Sequence, residues 1–143
     1  MKTSPRVSPV QFAATVAVLL FAFVCGSSLA ADSKVTLSGA NEVPPNSSAA
    51  TGSGSFTIGA DKSVSGSVTA KGMTPTAAHI HMAAPGVNGP VIVPLTQADN
   101  TFSTPAGAKL TDEQYAAYLA GNLYVNVHSK AFPGGEIRAQ LTK

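Results

Sequence analysis

Histidine occurs three times in the 143-residue chain, at His79, His81 and His128, and a single residue separates the first two. Residues i and i+2 of a strand project to the same face, so the imidazoles of His79 and His81 stand together while Ile80 turns the other way. Such residues lie roughly 6.6 Å apart along a strand, and two imidazoles leaning together can both reach an ion at about 2.0–2.1 Å. His128 stands next to last in the stretch LYVNVHS, where it follows Val127 at a polar position of an alternating strand. If that strand neighbours the one carrying AHIHM, the three imidazoles converge on one point, because cross-strand partners are about 5 Å apart at Cβ.

Three neutral imidazoles without a thiolate favour copper, zinc or nickel over magnesium or calcium, and copper stands highest in the divalent affinity order. Copper is therefore the expected ion, with zinc the alternative. Met82 and Met73 carry thioethers suited to Cu(I), but Met82 directly follows His81 and so faces the other way, where a core role is expected. An amino terminus at Ala31 or Asp32 has no histidine third in line, so a terminal copper chelate is not formed. Asn126 and Glu136 stand on the polar side of the last two strands as candidates to support the imidazoles from behind. For Glu136 the competing expectation is a surface ion pair with Arg138 or Lys130.

Other chemistries lack their residues. The sequence contains no Gly-x-Ser-x-Gly and no phosphate-cradling glycine loop, and its one cysteine, Cys25, precedes the expected mature domain. A catalytic version of the histidine centre, with water at an open fourth position, would need a nearby base. Glu136 is the sole candidate, so binding is expected and catalysis is not.

The elements that must position these residues are short strands recurring about every ten residues, the spacing of a sandwich or barrel. KVTLSG alternates with Val35 and Leu37 on one face, and NEVPPNSSAATG is a proline-stiffened crossing that no helix accommodates. SGSFTIGAD and SVSGSVTA read as a hairpin about Gly59–Lys62, with Phe56, Ile58, Val64 and Val68 facing inward. AAHIHM, GPVIVPL and NTFST follow. One short helix is expected near residues 112–120, capped by Thr111 with Gln114 three residues on, closed by Gly121, and packing through Tyr115, Tyr118 and Leu119. NLYVNVHS and GGEIRAQL are joined by a link short enough for an antiparallel hairpin, which puts Glu136 and Arg138 on the face of Asn126 and His128.

Ahead of these strands, Lys2 and Arg6 precede the apolar run VQFAATVAVLLFAFVCG, and Ser28 and Ala30 supply the small residues of a cleavage site. Residues 1–30 read as an export signal. The uninterrupted apolar centre is about 14 residues, short of the roughly 20 that span a bilayer. Cys25 raises a lipid-anchor alternative, although Val24 stands where lipoprotein signals carry a small residue. Loss of Lys2 and Arg6 takes the formal net charge from +2 to zero. A neutral, cysteine-free domain in residues 31–143 has no electrostatic footprint for nucleic acid or anionic lipid, and no disulfide can hold it. A periplasmic or secreted location follows from the signal.

LSGANEVPP, ATGSGSF, AAHIHMAAPGVNGPVIVPL and GNLYVNVHSKAFPGGEIRAQL together resemble the CHRD domain, named from chordin and also found in small exported bacterial proteins. The resemblance runs from Val35 to Leu141 with the blocks in the family's order. The family's H-x-H and N-V-H motifs fall on His79, His81 and His128, and Glu42 and Glu136 also stand at motif positions. In chordin-like proteins the domain belongs to an extracellular growth-factor binder, which implies a rival role: an interaction or adhesion module for another exported protein, its histidines bonded to the APGVNG loop. A looser similarity links the H-x-H strand and its glycine-bearing turn to Cu/Zn superoxide dismutase, a Greek-key sandwich. Three histidines cannot build that enzyme's two-metal site, whereas a mononuclear site remains open. The expected architecture is an antiparallel Greek-key β-sandwich with one short helix.

Overall fold

The computed structural model describes residues 31–143 together with Met1. Residues 2–30, which hold most of the expected export signal and Cys25, lie outside the described residues. The domain is all-β and antiparallel, with nine strands: β1 (Ala31–Ser38), β2 (Thr51–Ile58), β3 (Val64–Lys71), β4 (Pro75–Met82), β5 (Val91–Pro94), β6 (Thr96–Ala98), β7 (Thr101–Ser103), β8 (Leu123–Ser129) and β9 (Ile137–Leu141). Helix α1 (Asp112–Leu119) precedes β8, and a 3₁₀ turn at Gly39–Asn41 opens the proline-rich crossing. No helix among the described residues is long and apolar enough to cross a membrane.

The strands form one sheet in the order β5-β4-β8-β9-β1-β2-β3-β7-β6. β1, β2 and β3 make a meander, and β9 returns from the chain's end to lie beside β1, the swirl of a Greek key. The two ends of this order come together. β5 and β6 are separated by Leu95 alone, whose N–H donates to the Ala78 carbonyl of β4 at 3.0 Å. Gln97 of β6 likewise donates to the Pro75 carbonyl at 3.2 Å. The sheet therefore curls into a nearly closed sandwich.

Period-2 alternation fills its interior. Leu37, Phe56, Val68, Ile80, Phe102 and Val125 are each fully buried, as the pattern predicts for strands with one apolar face. The β2–β3 hairpin pairs Ile58 with Val64 and turns through Gly59–Lys62, where the Asp61 carboxylate accepts from the N–H and hydroxyl of Ser63 at 3.1 and 2.6 Å. Those bonds hold the Asp61 carboxyl below its ordinary pKa.

Helix α1 starts at the expected capping box: Thr111 Oγ1 accepts from Gln114 N–H at 3.2 Å, and Gln114 Oε1 from Thr111 N–H at 2.9 Å. Gly121 takes the left-handed conformation expected of it. Tyr118 is buried and Tyr115 packs against the core, but Leu119, expected on the same face, is 46% exposed. A helix of eight residues makes barely two turns, and it meets the core through Tyr115, Ala117 and Tyr118, with Leu119 outside that contact. Lys62 and Asp112 pair to tie the helix start to the β2–β3 turn.

Candidate metal centre

β4 pairs with β8, so the H-x-H strand does neighbour the N-V-H strand, with Ala77 opposite His128, His79 opposite Asn126 and His81 opposite Tyr124. Alternation puts Ile80, Val125 and Val127 into the core, and His79, His81, Tyr124, Asn126 and His128 on the other face. The contacts across this face run along one diagonal, the direction in which long side chains of paired strands reach each other. His79 Nδ1 lies 3.0 Å from His128 Nε2, and His81 Nε2 lies 3.0 Å from Asn126 Oδ1. The nitrogen ligand atoms of the three histidines all fall within 4.8 Å of one another. The expected convergence is thus present.

Backbone carbonyls fix two of the three rings. His128 Nδ1 donates to the Pro133 carbonyl at 2.9 Å, and His81 Nδ1 donates to the Gly89 carbonyl at 2.9 Å. A histidine whose Nδ1–H is committed in this way keeps its lone pair on Nε2, the arrangement that supports a metal-ligating imidazole. The centre therefore presents Nε2 of His81, Nε2 of His128 and Nδ1 of His79. Two ligands at about 2.0–2.1 Å from one ion stand roughly 3 Å apart when cis. The His79–His128 separation already meets that requirement.

The outward face of these strands is roofed. The β4–β5 loop, the crossing after Gly39 and the β8–β9 turn fold over it, so that His81 is 8% exposed, Asn126 2% and Arg138 2%. His79 and His128 remain half-buried and form the open side. Burial pushes the His79 imidazole below its ordinary pKa, and the neighbouring His128 and His81 add to the effect. Burial also lowers His81, against its bonds to Gly89 and Asn126, which act the other way. Both rings are held toward the neutral, ligating form.

His81 stacks on Tyr124, ring centroids 4.7 Å apart and planes 4° from parallel, and the Arg138 guanidinium sits 3.4 Å from the Tyr124 centroid. Tyr124 Oη accepts from Gly89 N–H at 3.2 Å, so Gly89 anchors both rings of the stack. Arg138 also fastens the roof, donating to the Val87 carbonyl at 2.9 Å and to Asn88 Oδ1 at 3.2 Å. Asn88 in turn donates to the Val43 carbonyl at 2.7 Å, joining two of the covering segments.

Glu42 lies beneath that roof, 4% exposed. Burial raises its carboxyl pKa, while Arg138, the Val43 N–H and the Asn126 side chain act to lower it. Its Oε1 has no hydrogen-bond partner. Gly135, at φ +132°, leaves the space in which Glu42 and Asn126 meet, because a Cβ there would collide with the Glu42 carboxyl and lie 2.6 Å from Asn126 Nδ2.

Glu136 departs from the expected surface ion pair. It is 6% exposed, and its Oε1 accepts from Ser48 Oγ at 2.6 Å, while its backbone carbonyl accepts from Asn46 Nδ2 at 3.0 Å. The crossing covers it, which alternation along β9 could not foretell. Among the described residues its carboxylate has no bond to an imidazole; Asn126 is the supporting candidate that touches one. Met82 packs against the core, as its parity required. Tyr124 and Arg138 carry no metal-ligand signature in sequence, and only their parity with the histidines points to them.

No curated protein and no solved structure matches the chain. The CHRD domain profile matches residues 33–141, which takes in all three histidines, Glu42 and every strand from β2 to β9. With three quarters of its length so matched, the chain belongs to the CHRD domain family.

Proposed function

We propose that this is an exported CHRD-domain protein that holds one metal ion through His79, His81 and His128, the ion being copper, with zinc the alternative, in the service of sequestration, delivery or tolerance. The observation that carries the reading is the commitment of both His81 Nδ1 and His128 Nδ1 to backbone carbonyls, which places a lone pair on each Nε2, that of His128 directed at His79 Nδ1 at 3.0 Å. An all-imidazole nitrogen set favours copper over harder ions. Export is supported by the basic, apolar and small-residue segments that end at Ala30. The Glu136 carboxylate accepts from Ser48 and bonds to none of the three imidazoles, which favours holding an ion over catalysis.

Thermal denaturation with and without excess Cu(II) or Zn(II) tests this. A bound ion stabilises the native state by about 2.7 kcal/mol when free metal is a hundredfold above Kd, so Tm rises, and His→Ala changes remove the rise.

The second reading is an interaction module for another exported protein. It is favoured by one observation: His81 braces the loop after β4 through Gly89, and that loop exposes Val87 at 52%. This reading predicts no metal-dependent shift in Tm, with histidine variants simply less stable.

A further inference from the structure

We infer that Asn126 Oδ1 is the fourth ligand of the three-histidine centre, and that Glu42 is the positioning residue that aims it. The inference rests on the metal reading above and makes the centre a closed N₃O site instead of one with an open position.

His81 is the ring that touches Asn126. Its Nδ1–H is spent on the Gly89 carbonyl, so the neutral ring presents a lone pair at Nε2. The atom facing that lone pair at 3.0 Å is Asn126 Oδ1, itself an acceptor. While the ring is neutral no proton lies between these two acceptors, and a cation there supplies what protonation of His81 Nε2 would supply in acid. Their 3.0 Å separation matches that of His79 Nδ1 and His128 Nε2, and both fit two cis ligands of one ion at about 2.0–2.2 Å. Carboxamide oxygen is a competent ligand for divalent ions.

Glu42 decides which end of the amide faces the site. The Nδ2 end of Asn126 lies against the Glu42 carboxyl, so the oxygen is turned to His81. Turning the amide round would set its oxygen against a carboxyl whose Oε1 already lacks a partner beneath the roof. Gly135 permits this approach, since any side chain there would separate Glu42 from Asn126. His81, Asn126 and Glu42 thus form one chain from the ion to a buried carboxyl.

The test counts water on the metal. The purified protein is loaded with one equivalent of Cu(II), and coordinated exchangeable water is measured by pulsed electron–nuclear resonance in isotopically labelled water, for wild type, Asn126→Ala and Asn126→Asp. Asn126→Ala is expected to gain one coordinated water relative to wild type. Asn126→Asp, which keeps the size and an oxygen donor should Asn126→Ala fail to fold, is expected to keep the wild-type water count and to shift the Cu(II) hyperfine coupling. Glu42→Gln is expected to weaken Cu(II) binding about tenfold without changing the nitrogen ligands. An unchanged water count in Asn126→Ala, or an unchanged spectrum in Asn126→Asp, overturns the assignment while leaving three-histidine binding intact. Failure of the wild type to bind Cu(II) stoichiometrically overturns both.

Discussion

His79 Nδ1 stands 3.0 Å from His128 Nε2 across a diagonal of the β4–β8 pair, and the residue opposite His128 is Ala77, whose small side chain leaves that diagonal open. The convergence of residues 49 positions apart in sequence thus depends on strand register. A one-residue slip between β4 and β8 would send His79 and His81 into the core and Ile80 out of it.

Acid is expected to act on this centre first. His79 and His81 have pKa values below the ordinary 6.5. In the window between the two values the unfolded chain binds more protons than the native one, so stability falls as pH drops below about 6.5. Glu42, raised above 4.5, acts in the opposite sense, its native form holding a proton that the unfolded chain has lost. Urea denaturation of Glu42→Gln between pH 7 and 5 isolates the histidines and should show a falling midpoint. Metal affinity should fall over the same range, since a protonated imidazole cannot ligate.

Arg138 should be costly to remove. It is buried over Tyr124, bonds to Val87 and Asn88, and its charge acts on buried Glu42. Arg138→Met should destabilise the protein by about 3 kcal/mol, the scale for stripping one member from a buried charged group. Adding Glu42→Gln should recover part of the loss, and a double-mutant cycle in urea measures the coupling.

Gly135→Ala should cost about 1–3 kcal/mol, because a non-glycine residue at φ +132° is strained and its Cβ meets Glu42 and Asn126. Equilibrium unfolding should show a lower midpoint with an unchanged denaturant slope.

Thr111→Ala removes the cap of α1 and should cost about 1 kcal/mol, with no change in metal binding, since the helix lies outside the centre. Circular dichroism melting checks the first part and metal titration the second.

What was legible in the sequence follows from locality. The β2–β3 hairpin, the capping box at Thr111 and the parity of His79, His81 and His128 each depend on residues within one element or one turn. β6 was not legible: Thr96–Ala98 is wholly exposed and carries no alternation, its strand identity coming from β7 beside it. The roof was not legible either. Asn126, Glu136 and Arg138 alternate with apolar residues as on a solvated face, yet segments about 90 residues away in sequence, such as Asn46 and Ser48, fold over part of it. Alternation reports which residues share a face, and only tertiary structure reports whether that face is covered.

Joint ligation of a single ion by three histidines is decided by calorimetric titration of the metal-free protein with Cu(II) and Zn(II), beside His79→Ala, His81→Ala and His128→Ala. One-to-one binding is expected in the wild type, tighter for copper, and lost in each variant. Weak binding that survives all three substitutions would contradict it.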